Sequence, residues 1–144
     1  MTRRRGFTVV ELVLVMAIIV VLATIAIPIG LSAHREAKET KLRAELRQLR
    51  NAINRFVTDC GGYPEELPDL MVDAPPQSCR SLENGSRMRI DPADFRGPYL
   101  LTPDDAFPRD PITGERLWWY NRRTGQVRSH SPDKALDGTR YRDW

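Results

Sequence analysis

Histidine and cysteine are scarce in this chain of 144 residues, with two of each. His34 and His130 lie far apart, and neither sits in an H-E-x-x-H run that would present two ligands on one helical face. There is no G-x-S-x-G elbow, no phosphate-cradling glycine loop and no EF-hand spacing. Two carboxylate pairs, Glu65-Glu66 and Asp104-Asp105, fall in proline-rich stretches and read as solvated charge. No catalytic constellation is present, so the chain is not expected to be an enzyme. A basic surplus is also missing beyond the first few positions. The net charge is +3, and Arg3, Arg4 and Arg5 account for all of it. The sequence pI of about 9.1 is therefore no nucleic-acid footprint, and no nucleic-acid partner is expected.

What the chain does have is one long apolar run. From Leu12 to Leu31 the only polar interruption is Thr24. As a helix, that run spans about 30 Å, the thickness of a bilayer's hydrocarbon core. The arginines before it favour a cytoplasmic start, which predicts a single pass with everything after Leu31 on the outer side. Pro28 removes one backbone donor and predicts a kink or local melting near the far end. A secretory signal peptide would have a shorter apolar stretch of about 7 to 15 residues, followed by small residues at the cut. A plain anchor explains the length but gives no reason for Glu11, since a carboxylate costs about 2.5 to 3.5 kcal/mol at a bilayer centre and less near its edge. A charge in such a place asks for a partner.

These residues carry a resemblance. RRRGFTVVELVLVMAIIVVLATIAIP is similar to the leader and N-terminal helix of type IV pilins and of the pseudopilins of type II secretion, and the chain most resembles the major pseudopilin. The resemblance implies a leader over residues 1–6, cut by a prepilin peptidase between Gly6 and Phe7, and N-methylation of the new amino group on Phe7. It implies a hydrophobic polymerisation helix over 7–31, in which Thr8, Glu11 and Pro28 occupy family positions. Glu11 is then expected to pair with the Phe7 ammonium of a neighbouring subunit, which sets assembly register. The implied partners are the peptidase, a homo-oligomeric filament, other pseudopilins or minor pilins, an inner-membrane assembly platform and an assembly ATPase. The implied location is the bacterial inner membrane, single-pass, with a periplasmic or extracellular filament after assembly. The alternative within the same resemblance is a type IV pilin or minor pilin for adhesion, motility or DNA uptake. An anchored or secreted enzyme whose leader only mimics a pilin is a further alternative, and the missing catalytic residues argue against it.

Beyond the apolar run, Leu42, Leu46, Leu49, Ile53 and Phe56 recur at helical spacing, with Ala52 and Val57 widening the stripe. One helix is expected from Phe7 to about Thr58, its amphipathic half covering 32–58. Its other faces read as charged surface, including Glu39 with Arg43. The head, 59–144, begins with a proline-rich loop holding one short helix around Glu66 to Met71. Cys60 and Cys79 enclose a loop of about 18 residues. They are expected to form a disulfide if the head faces an oxidising compartment, worth roughly 3 kcal/mol, and otherwise stand as two free thiols.

The last third predicts two antiparallel strands in GERLWWYN and GQVRSHS, with Leu117, Trp119 and Val127 on one face and Trp118, Tyr120 and Arg128 on the other. A further short strand is expected at Arg87 to Ile90 or at Tyr99 to Leu101. The aromatic cluster is expected to pack on the Leu42 to Phe56 stripe rather than to bind a ligand. The fold class is thus α+β, a long helix packed against a small antiparallel sheet. PRDPITGERLWWYNRRTGQVRSHSPDKALDG also resembles the major-pseudopilin stretch that ends in a calcium-binding loop. Here Ser131, Asp133, Asp137 and Asp143, with Ser129 and Thr139, offer oxygens of the right kind, while Lys134 inside the loop opposes a cation. A calcium site and an ordinary surface loop both remain open on these residues.

Overall fold

The computed structural model describes residues 8–144, apart from the side chains of 25–31. The leader, the Gly6 and Phe7 positions and the Pro28 side chain lie outside the described residues. The elements are one helix, α1 (Val9–Cys60), and five short strands: β1 (Gly62–Pro64), β2 (Ser78–Ser81), β3 (Arg87–Arg89), β4 (Trp118–Asn121) and β5 (Gln126–Ser129). Single 3-10 turns occur at Leu67–Leu70 and Tyr141–Asp143. The chain divides into two compact units, the first ending at Ala37 and the second covering Lys38–Trp144.

In the first unit the described apolar side chains of α1 are exposed. Every large apolar side chain from Val9 to Leu22 is exposed, the least of them, Val15, by 45%. Among the described residues no helix is long and apolar enough to cross a membrane. The expected run reaches Leu31, but its described side chains end at Thr24, which leaves about 20 Å at 1.5 Å per residue. The Thr24 hydroxyl donates back to the Val21 carbonyl at 2.7 Å, so this polar group is satisfied without leaving the helix. The helix continues through Pro28 without the local melting expected there. Proline deletes one donor and leaves the bonds of the flanking turns in place.

In the second unit the stripe is buried as its periodicity requires. Leu42, Leu46, Leu49, Ile53 and Phe56 are each no more than 2% exposed. Phe56 takes two aromatic neighbours edge-on, Tyr99 at 5.5 Å and Phe95 at 6.4 Å between ring centres. The helix ends where Gly61 adopts a φ of +72° and donates its N–H to the Val57 carbonyl at 2.9 Å, a termination that a left-handed glycine permits without strain.

Two small sheets replace the single one expected. Strands β1, β2 and β3 form an antiparallel sheet in that order. Two of them lie in the stretch that reads as loop. At three or four residues each they are too short to show alternation, and Pro64 is tolerated because β1 is an edge strand. The further strand proves to be Arg87–Arg89. Tyr99 to Leu101 is not a strand; the N–H groups of Tyr99 and Leu100 both donate to the Leu70 carbonyl, at 2.8 and 2.9 Å.

The hairpin of β4 and β5 forms where the sequence predicts it, but its faces are regrouped. Trp119 pairs with Arg128, Tyr120 with Val127 and Trp118 with Ser129. Directly paired residues share a face. Trp118, Tyr120, Val127 and Ser129 therefore turn inward, and Trp119 and Arg128 turn outward. The loop from Asn121 to Gln126 has an even number of intervening residues, which pairs odd positions with even ones. Trp118 and Val127 join the core with the helical stripe, whereas Trp119 is 41% exposed, with the Arg128 guanidinium 5.0 Å above its ring.

Candidate assembly site

The first turn of α1 is built by Thr8 and Glu11. Thr8 precedes the helix, and its Oγ1 accepts the Glu11 N–H at 3.3 Å, while its carbonyl accepts the Leu12 N–H at 3.2 Å. This is an N-cap, and Thr8-x-x-Glu11 is the capping-box spacing. Thr8 was legible only as a family position, but the T-x-x-E pattern before an apolar run is itself a start signal. Glu11 thus stands third in a helix whose first amides are unpaired and whose dipole favours negative charge there. Among the described residues no ion pair to it is found. The result is an exposed carboxylate at the start of an exposed apolar helix.

The head contains three polar arrangements that sequence reading missed or misassigned. Glu65 is not solvated charge. Its side chain is only 12% exposed and meets Arg87 at 2.9 Å, Arg80 at 3.0 Å and Arg122 at 3.8 Å. Burial alone raises a carboxyl's pKa, but hydrogen bonds from Arg87 and Arg80 outweigh it and hold Glu65 below the usual value. Asp104 pairs with Arg116 at 3.3 Å and matches the surface reading.

Glu39 does not pair with Arg43 on an outer face. It is 7% exposed, and its Oε1 accepts the Leu136 N–H at 2.8 Å and the Tyr141 hydroxyl at 2.9 Å. The third arrangement centres on Asp110, which is fully buried. It accepts the Ile112 N–H at 2.8 Å and the Ser129 hydroxyl at 2.5 Å, closing the turn before β4 onto the end of β5. Glutamates that lie among prolines or alternate with lysines look solvated in sequence, because their partners are brought from far along the chain.

The expected disulfide is not formed: Cys60 and Cys79 are both free and buried. The Cys79 thiol points at the Cys60 carbonyl, 3.8 Å away, and the Cys60 sulfur lies 4.0 Å from the Tyr99 hydroxyl. Each sulfur thus has a contact other than its fellow. Burial pushes the Cys60 thiol up to about 11 and raises Cys79 as well.

The candidate aspartates Asp133, Asp137 and Asp143 do not form a metal-holding group. Ser131 is buried, and its hydroxyl accepts the Asp133 N–H at 3.2 Å. Asp137 is exposed and holds the Thr139 N–H and hydroxyl at 2.9 and 2.6 Å. Asp143 lies in the 3-10 turn, where its N–H donates to the Arg140 carbonyl. Among the described residues no group of three or more His, Cys, Asp or Glu side chains is placed to hold a metal ion.

The family description "Prokaryotic N-terminal methylation motif" matches residues 1–27. Over 109 residues the chain is 31% identical to the type II secretion system core protein G of Klebsiella pneumoniae, covering 72% of this chain and 78% of that one. The chain belongs to the pilin-like, pseudopilin family. The core protein G of Aeromonas hydrophila is 30% identical over 70% of this chain and 75% of its own. A type IV major pilin protein of Neisseria gonorrhoeae is 27% identical over 88% of this chain and 68% of its own. No solved structure matches. Members of this family are structural subunits and not enzymes.

Proposed function

We propose that this pseudopilin-family chain is a filament subunit of a type II secretion pseudopilus. It is cut between Gly6 and Phe7, N-methylated on Phe7, held in the inner membrane by the apolar part of α1, and then polymerised to drive protein export. The observation that carries the reading is the combination of a methylation motif over residues 1–27 with a capped Glu11 at the head of an exposed apolar helix. Burying a large apolar side chain contributes on the order of 1.5 to 3 kcal/mol, so side-by-side packing of such helices is strongly favoured in water. In lipid that gain is absent, and packing and charge pairing must select the neighbour. A Phe7 ammonium from the next subunit meets the only carboxylate in that run, and leaving either charge buried alone costs about 3 to 5 kcal/mol.

In this reading an inner-membrane assembly platform and a separate assembly ATPase supply the work of extraction. A second reading, a type IV pilin subunit, has the support of the long match to the Neisseria pilin protein.

The test is the intact mass of chain purified from its own host. A mature chain starting at methylated Phe7 supports the reading, and Gly6→Ala is expected to leave the leader uncut; processing of Gly6→Ala at Phe7 would overturn it. Deletion then separates the two filaments. Loss of exported proteins from the medium with normal surface fibres indicates the secretion role, and the converse indicates the pilus.

A further inference from the structure

We propose that the segment from Lys134 to Trp144 is closed onto α1 by a lock of three helix side chains, Glu39, Arg43 and Arg50, and that this lock takes the place of a calcium ion. A calcium ion needs six to eight oxygen acceptors converging on one point. In this head three of the candidate acceptors, Ser129, Ser131 and Asp137, are already committed elsewhere. The Ser129 hydroxyl donates to Asp110 and accepts the Ser131 N–H at 3.1 Å, and the Ser131 hydroxyl accepts the Asp133 N–H. One oxygen of Asp137 holds both donors of Thr139, and the other lies 3.5 Å from Arg43.

The polarity of the closure is also opposite to that of a cation site. Toward Glu39 the segment presents donors, the Leu136 N–H and the Tyr141 hydroxyl, and what they meet is a buried negative charge. A metal would require acceptors there.

The two arginines complete the lock. Arg43 lies 4.2 Å above the Trp144 ring while pairing with Asp137, so one guanidinium reaches both ends of the loop. Arg50, two turns further along α1, donates to the Val127 carbonyl at 3.3 Å and to the Trp144 carbonyl. The edge-on packing of Tyr141 against Trp144, 5.1 Å between ring centres, holds the segment's two aromatic anchors together. Three residues on one face of a rigid helix thus fix the hairpin and the loop by charge-assisted hydrogen bonds and a cation–π contact. Each uses a fixed protein charge where a metal site would use a diffusible one.

The experiment uses the full chain in detergent micelles, unfolded by heat with calcium chloride or with EGTA and followed by tryptophan fluorescence. Trypsin cleavage at Lys134, Arg140 and Arg142 is read in parallel by mass spectrometry. The melting temperature of the unaltered chain is expected to be the same in calcium and in EGTA. Glu39→Ala is expected to lower it by roughly 5 to 10 °C and to raise cleavage at the three sites at least about tenfold, with Glu39→Gln in between and neither variant responding to calcium. Should Glu39→Ala not fold, Arg43→Lys serves, since it keeps the charge but loses the planar contact with Trp144, and the same cleavage sites are expected to open. A melting temperature that rises with calcium in the unaltered chain, calcium rescue of Glu39→Ala, or unchanged cleavage in the variants would each overturn the proposal.

Discussion

Glu65→Gln removes one negative charge from among three guanidinium groups while keeping the shape of the side chain. The three contacts are not equivalent. Arg80 is 24% exposed and hydrogen-bonded at 3.0 Å, whereas Arg87 and Arg122 are 67% and 56% exposed. A hydrogen bond to a charged group contributes about 1.5 to 3 kcal/mol when sheltered. Exposed pairs contribute about 0.2 to 1 kcal/mol and are screened by salt. The glutamine amide oxygen still accepts from Arg80, so only the charge-assisted part of that bond and the lighter pairs are lost, about 1 to 2 kcal/mol, or roughly 5 to 10 °C in melting temperature for a unit of this size.

The pH dependence isolates the charge from the packing. Glu65 has a lowered pKa in the folded chain, so its contribution is present above the unfolded carboxyl value and is lost as pH falls through the folded one. Melting followed by near-ultraviolet circular dichroism should therefore show a gap between the unaltered chain and Glu65→Gln at neutral pH. The gap should narrow steadily below the ordinary glutamate pKa of about 4.3. A gap of the same size at neutral and acid pH would refute the electrostatic account, and no gap at neutral pH would refute the cluster's importance altogether.

Two further outcomes follow from the head. Gly125 has a φ of +66°, and a β-carbon there would meet the Tyr63 ring at 2.3 Å, so Gly125→Ala should lower stability by about 2 kcal/mol or more, measured by urea unfolding. Chain purified without reductant and denatured should titrate two thiols with Ellman's reagent, and the folded chain should react far more slowly, because both sulfurs are buried and their thiolates suppressed. A count of zero in denaturant would restore the bridge.

Much of this protein was decided by local pattern. Thr8-x-x-Glu11 caps a helix within four residues, Leu42 to Phe56 defines a buried face by spacing alone, and the turn after Asn121 places the β4–β5 hairpin. The leader motif is likewise a linear signal, matched over residues 1–27. What only the tertiary structure decided depends on partners distant in sequence. Glu39 looks like half of a surface pair until Leu136 and Tyr141 are brought to it, and Glu65 looks solvated until Arg80, Arg87 and Arg122 surround it. The hairpin's inward face depended on strand register, and Cys60 and Cys79 on sulfur direction, neither of which residue order contains. Hydrophobic burial follows periodicity, because it needs only a face. Charge pairing needs particular atoms to meet, and the folded chain alone decides which ones do.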